Sequence, residues 1–155
     1  MNAFPPLDDL PALTLHIETR YHARHRTQLS ALVVLARNVE AERGAAPLTL
    51  ATMLQTLAGE MEVHMKKEEL ILFPAIRRGG GRALATPIAV MRADHDDHDE
   101  HVARIRALTD DLTLPEGATE ARRALYLALA EFIADLDEHI RLENDVLFPP
   151  FEHMP

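Results

Sequence analysis

The chain has 155 residues, no cysteine and a formal net charge of −9 at pH 7. That length fits one domain that can bury a core without disulfide staples, and the lack of cysteine excludes thiol catalysis, iron–sulfur ligation and disulfides within it. The acidic balance repels a phosphate backbone and argues against nucleic acid as a partner, while no stretch approaches the ~20 apolar residues of a membrane span.

Residues 1–10, which carry neither the basic start nor the apolar run of a secretory signal, read as a flexible N-terminal lead to one domain over 11–155. From about Pro11 to Glu42 no proline or glycine interrupts the pattern, and Ile17, Tyr21, Leu29, Leu32, Ala36 and Val39 recur as on one helix face. Arg43-Gly44-Ala45-Ala46-Pro47 reads as a stop and a turn. Thr49 is placed to cap a second helix, which is expected to end near Phe73, ahead of Pro74. A glycine-rich loop follows at 77–82. Thr86 and Pro87 predict the start of a third helix running to about Leu112, and Leu114-Pro115-Glu116-Gly117 breaks it. A fourth is expected from about Ala118 to Leu147, before Pro149-Pro150. No segment alternates with period two, so the expected fold is all-α: an up-down-up-down four-helix bundle.

The predicted second and fourth helices carry the same motif. His64 and Glu68 precede Leu72-Phe73-Pro74, and His139 and Glu143 precede Leu147-Phe148-Pro149, at one offset (139−64, 143−68). One HxxxE is weak evidence on a charged helix, but two in one frame with one ending are strong. The first and third helices repeat at a second offset (95−22, 98−25), pairing His22 and His25 with His95 and His98. The chain therefore reads as two helical hairpins of one design.

Residues four apart share a helix face, so each His–Glu pair aims at one place. At ~1.5 Å rise per residue, His22 and His64 fall at similar heights on either side of the first turn, and His95 and His139 do so around the third. Four imidazoles and two carboxylates then converge in the core. Buried carboxylates cost several kcal/mol each without a partner, and two metal ions bridged by the glutamates remove that cost. Nitrogen and oxygen donors without sulfur suit iron or manganese, with zinc a weaker fit. The donor count leaves positions open for O₂, NO, oxide or water.

These stretches resemble the hemerythrin-like, HHE cation-binding family, and within it the C-terminal domain of the iron–sulfur cluster repair di-iron proteins of the RIC or ScdA/YtfE type. The resemblance rests on Arg20-Tyr21-His22, His25-Arg26, Gln28-Leu29, residues 64–74, Pro87-Ile88, Val90-Met91, His95-Asp96, His139-Ile140 and residues 142–149. It implies a hemerythrin-like bundle with His22, His64, Glu68, His95, His139 and Glu143 as metal ligands. The two glutamates would bridge two iron ions that also share an oxo or hydroxo group. It further implies repair of iron–sulfur clusters damaged by nitric oxide or oxidative stress, in the cytoplasm, with O₂ or NO as small ligands and damaged iron–sulfur proteins as partners. An O₂-binding or O₂/NO-sensing protein is the alternative, and peroxide or NO turnover the enzymatic one. Many repair proteins carry a cysteine-containing domain ahead of the bundle; a role needing that thiol is expected to fall to a partner or to be absent. Some members have a further histidine where this chain has Arg43, which is not expected to bind iron.

Other residues receive plainer readings. Glu69 has Asn144 as its repeat counterpart and is set aside as a ligand. His25 and His98 compete with His22 and His95, as outer groups or core-edge histidines. His16, His101 and His153 are expected in solvent, and Asp94–Glu100 as an acidic first helical turn. Leu72-Phe73, Leu147-Phe148 and Tyr21 read as core packing, with a gating or redox role as the sharper option for Tyr21.

Overall fold

The structure, a computed structural model, describes residues 4–42 and 49–154. It is all-helical over those residues and forms the expected up-down-up-down bundle. Helix α1 spans residues 10–40, α2 residues 50–77, α3 residues 82–108 and α4 residues 120–147, followed by a short helix at Pro149–Glu152. α1 packs along both α2 and α4, and α2 along α3. No helix among the described residues is long and apolar enough to cross a membrane. The turn expected at 43–47, with Arg43, lies outside the described residues.

Two apolar clusters fill the bundle, and they are separated along every helix. One runs from Leu29 and Leu54 to Phe132 and Ile140; the other gathers Leu13, Ile17, Phe73, Ile88, Phe148 and Phe151. Between them His22 and His25 on α1, Glu68 on α2, His95 and His98 on α3 and Glu143 on α4 form a buried polar layer. Apolar plugs on both sides keep water from that layer, so its polar groups must satisfy one another or a ligand.

Several boundaries differ from expectation for identifiable reasons. α1 begins at Leu10, because Asp9 accepts from the Ala12 amide at 3.1 Å. In the lead, Phe4 meets the His16 ring edge-on at 4.7 Å. The Thr49 side chain makes no cap bond to α2; Glu40, reaching from α1, accepts from the Ala51 amide at 3.0 Å instead. Pro74 does not end α2, because a wide π turn at Glu68–Leu72 precedes it. In such a turn the Phe73 amide reaches back five residues to the Glu68 carbonyl, and the next residue, a proline, has no N–H to leave unpaired. Thr86 does not cap α3, which starts earlier through a 3₁₀ turn at Arg82–Leu84, with Pro87 inside the first α turn where its missing N–H costs nothing. α3 stops at Leu108, since the Thr109 hydroxyl takes the Ile105 carbonyl at 2.8 Å and accepts from the Leu112 amide at 3.0 Å. α4 starts at Glu120, capped by Thr119.

Gly80 closes the loop between α2 and α3 at φ +76°, and a Cβ there would meet the Phe151 ring at 2.5 Å. Gly80→Ala should destabilise the fold by more than the ~1–2 kcal/mol of a left-handed backbone alone, because Phe151 must also move. Gly79→Ala, with nothing within 4 Å of its Cβ, should cost less. Urea unfolding of the two variants measures the difference, and equal midpoints would show that the Phe151 contact is not tight.

Candidate metal centre

Three of the four long helices contain one π turn: Ile17–His22 in α1, Glu68–Leu72 in α2 and Glu143–Leu147 in α4. Each begins or ends on one of the buried layer's residues. The two glutamate turns are built alike. The Phe73 amide bonds the Glu68 carbonyl and the Phe148 amide the Glu143 carbonyl, each followed by proline. The repeated LFP ending thus marks a local widening that starts at the glutamate. Its phenylalanines belong to the core, as expected, and also wall the site: Phe73 lies parallel to His22 and Phe148 to His95, with centroids 5.8 and 5.9 Å apart.

The six residues expected as ligands come together, all but fully buried. His22 Nε2 and His64 Nε2 each lie 3.2 Å from Glu68 Oε1. His95 Nε2 is 2.9 Å from Glu143 Oε1 and His139 Nε2 is 3.2 Å from Glu143 Oε2. These approaches lack hydrogen-bond geometry: all four Nε2 atoms and all four carboxylate oxygens are buried without a hydrogen-bond partner. Donors that converge yet do not bond one another are donors aimed at common points between them. Two such points exist. His22, His139, Glu68 and Glu143 offer ligand atoms all within 4.8 Å of one another, and so do His64, His95, Glu68 and Glu143. Both glutamates belong to both groups. The donor set, four imidazole nitrogens and two carboxylates without sulfur, fits two ions of the iron or manganese kind.

The electrostatics favour cation binding. Burial pushes His22 and His64 down to about 4, so both are neutral at pH 7 and able to ligate. His95 is raised instead: burial opposes its charge, but Glu143, together with Asn144 and Asp99, more than offsets that. Glu68 is pushed well above the carboxylate range by burial and by Glu143 alongside. Glu143, despite burial, is held well below it by His139 and His95. Two buried carboxylates in contact cannot both be charged without cations.

Each inward histidine is held from behind through Nδ1. His22 meets Glu69 at 2.8 Å, His64 meets Asp94 at 3.0 Å, His95 meets Asn144 at 2.8 Å, and His139 meets His25 at 3.0 Å. Glu69, set aside from sequence, is therefore the group that orients His22, and a bidentate Arg26 at 3.0 Å holds it in turn. Its repeat counterpart Asn144 does the same for His95; the signal was in the repeat, disguised by the change from carboxylate to amide. Asp94–Glu100 does not form a first turn. It lies in the middle of α3, where Asp94 serves His64. A cavity of about 410 Å³ opens there, lined by Glu60, Lys67, Asp94, Asp97 and His98 among others.

The histidines read as competitors are buried beside the layer: His25 bonds His139, and His98 lies edge-on to His64 with centroids 5.1 Å apart. Of those expected in solvent, His153 is exposed, while His16 and His101 are half-buried. Tyr21 is buried and lies against the His139 ring with centroids 5.5 Å apart. Burial and neighbouring Glu138 hold its phenol far above the usual range.

Residues 13–151 match the Hemerythrin HHE cation binding domain. Among curated proteins, the iron–sulfur cluster repair protein YtfE of Musicola paradisiaca is 45% identical over 147 residues, covering 93% of this chain and 65% of that protein. The proteins of that name from Edwardsiella ictaluri and Yersinia pestis are 48% and 47% identical, covering 93% and 90% of this chain and 65% of each relative. The chain thus spans just under two thirds of the length of these relatives.

The imidazole shifts predict how acid acts on the metal-free protein. Burial, as the largest cause, brings His22 and His64 to about 4 and His25 and His98 to about 3, from 6.5. Between those values the unfolded chain binds more protons than the folded one, so stability falls as pH drops. His95, Glu68 and Asp99, all raised, act oppositely, while His16, lowered by burial, and Glu143 and Glu69, held low by their partners, add to the loss. The metal-free protein should therefore melt at a lower temperature at pH 4.5 than at pH 7 in calorimetry. An unchanged melting temperature would mean that these imidazoles are hydrated.

Proposed function

Because the chain belongs to the hemerythrin HHE cation-binding family, we propose that it is a non-haem di-iron protein of iron–sulfur cluster repair, acting in the cytoplasm on clusters damaged by nitric oxide or oxidants. In this reading His22 and His139 hold one iron, His64 and His95 the other, and Glu68 and Glu143 bridge the two. The observation that carries it is the pair of four-donor groups sharing both glutamates. The relatives' name, iron–sulfur cluster repair protein, supplies the functional half.

Bound iron would supply redox chemistry, exchangeable positions for O₂ or NO, and the metal that repair consumes. The protein's own contribution is to hold four neutral or hydrogen-bonded imidazoles and two carboxylates in place, and to exclude water from them with Phe73, Phe148 and the apolar clusters. Four histidines shared between two ions retain metal less firmly than a larger set. That suits a protein that gives iron away better than one that must survive many oxygenation cycles. The donor set also admits manganese and, less well, zinc.

Iron-reconstituted protein should contain two irons per chain in a magnetically coupled centre, read by metal analysis and Mössbauer spectroscopy. Glu68→Ala or Glu143→Ala should abolish the pair, because each touches both ions, whereas His22→Ala and His95→Ala should each weaken one. A single mononuclear site in the unaltered protein would sink the di-iron reading.

The repair reading is tested by mixing the reduced, iron-loaded protein with a cluster enzyme inactivated by NO. Enzyme activity should recover, and should not with Glu143→Ala protein. A stable, reversible oxygenated complex with no recovered activity would favour the O₂-binding or O₂/NO-sensing alternative.

A further inference from the structure

Three of the four inward histidines present Nδ1 to an oxygen, from Glu69, Asp94 or Asn144. His139 presents it to another imidazole, that of the fully buried His25. The exception traces to one position of the internal repeat. Asp94, which holds His64, corresponds to Tyr21 (94−21 equals 95−22). A phenol ring there lies nearly parallel to the His139 ring, at 19° with centroids 5.5 Å apart, and the His139 Nδ1 meets His25 instead.

The contacts beyond His25 fix every proton. If His139 offers Nε2 to a metal, its Nδ1 carries hydrogen and donates to His25 Nε2. The two rings are 24° from parallel with centroids 5.1 Å apart, and the nitrogens are 3.0 Å apart. That is an edge-to-edge approach, in which an in-plane N–H meets an in-plane lone pair. His25 then carries its own hydrogen on Nδ1, which faces Gln28 Oε1 at 3.2 Å. With its oxygen so used, Gln28 donates through Nε2 to Asp135 Oδ2 at 2.9 Å. Asp135 is anchored by Arg24 at 2.6 Å and Arg20 at 3.2 Å. It sits one helical turn before His139 on α4, so the chain of bonds closes on the helix where it began.

We propose that His25 is a positioning residue for the metal held by His22 and His139: its buried Nε2 accepts the His139 Nδ1 hydrogen and so keeps His139 Nε2 aimed at the centre. The proposal rests on the reading of His139 as a ligand. The relay is a brace and not a proton wire, because the Gln28 amide cannot pass a proton onward without becoming an imidic acid. At the opposite metal position the repeat counterpart of His139, His64, has a different support, the carboxylate of Asp94 at the edge of a cavity. The two positions are therefore inequivalent by construction, in spite of the repeated sequence.

Anaerobic titration with cobalt(II), followed by its visible absorption, tests this. The unaltered protein should bind two equivalents, and His139→Ala should lose one with its bands. His25→Leu should weaken that same equivalent by about tenfold or more, the range for loss of an outer partner of a ligating histidine, and should shift its bands, leaving the other equivalent unchanged. His25→Gln should restore both, since its amide can accept from His139 and donate toward Gln28. Gln28→Met cuts the relay without touching His25 and should weaken the same equivalent less; it carries the test if His25→Leu does not fold. Unchanged binding in both His25→Leu and Gln28→Met, with one equivalent lost in His139→Ala, would overturn the proposal and leave the ligand set standing. Equal weakening in His25→Leu and His25→Gln would overturn it in favour of simple packing. Two intact equivalents in His139→Ala would remove the ligand reading and the proposal together.

Discussion

Everything in this bundle is arranged around two carboxylates, Glu68 and Glu143, fully buried and facing one another in the middle of the core. Two like charges in a low-dielectric interior are among the most costly things a fold can contain. Without cations one carboxyl is driven to keep its proton, as burial and Glu143 favour at Glu68; both can ionise only if positive charge comes between them. His22 and His64, kept neutral by burial, do not supply it. The layer is therefore shaped for cations, and the apolar clusters on either side raise the stakes by denying it water.

Holding such a layer demands local departures from regular helix. The π turns beginning at Glu68 and Glu143 use one extra residue each and are followed by proline, which tolerates the lost bond. Behind the inward histidines, Glu69, Asp94, Asn144 and His25 fix which nitrogen faces the centre. Three salt-linked anchors, Arg26 on Glu69, Arg24 on Asp135 and Lys67 near Asp94, then tie this outer ring to the helix surfaces. Precision at the centre is thus bought by polar contacts that lie outside it.

The internal repeat is followed closely in some places and abandoned in others. Glu69 and Asn144 do the same work with different chemistry. Gln28 with Asp135 has its counterpart in His101 with Glu60, at 2.7 Å. Tyr21 and Asp94 break the correspondence, and only α1, not α3, carries a π turn ahead of its histidine. Two halves of one design have become two unequal halves of one site.

Much was legible from sequence alone. Helical periodicity, proline and glycine punctuation and the paired HxxxE motifs depend on spacing along one chain, and spacing along a helix is a local property. The four helices and the six inward residues follow from it. Boundaries near Thr49, Pro74 and Thr86 did not, because caps and wide turns are settled by contacts such as Glu40 with Ala51 that come from another helix. The outer ring was hidden for the same reason: Glu69 serves His22 across 47 residues, and His25 serves His139 across 114. Least visible of all was how the inward residues divide. The sequence pairs its histidines within each hairpin, whereas the fold groups His22 with His139 and His64 with His95, one pair between α1 and α4 and the other between α2 and α3. A repeat specifies what each helix offers; which helices face one another is decided only when their apolar faces pack.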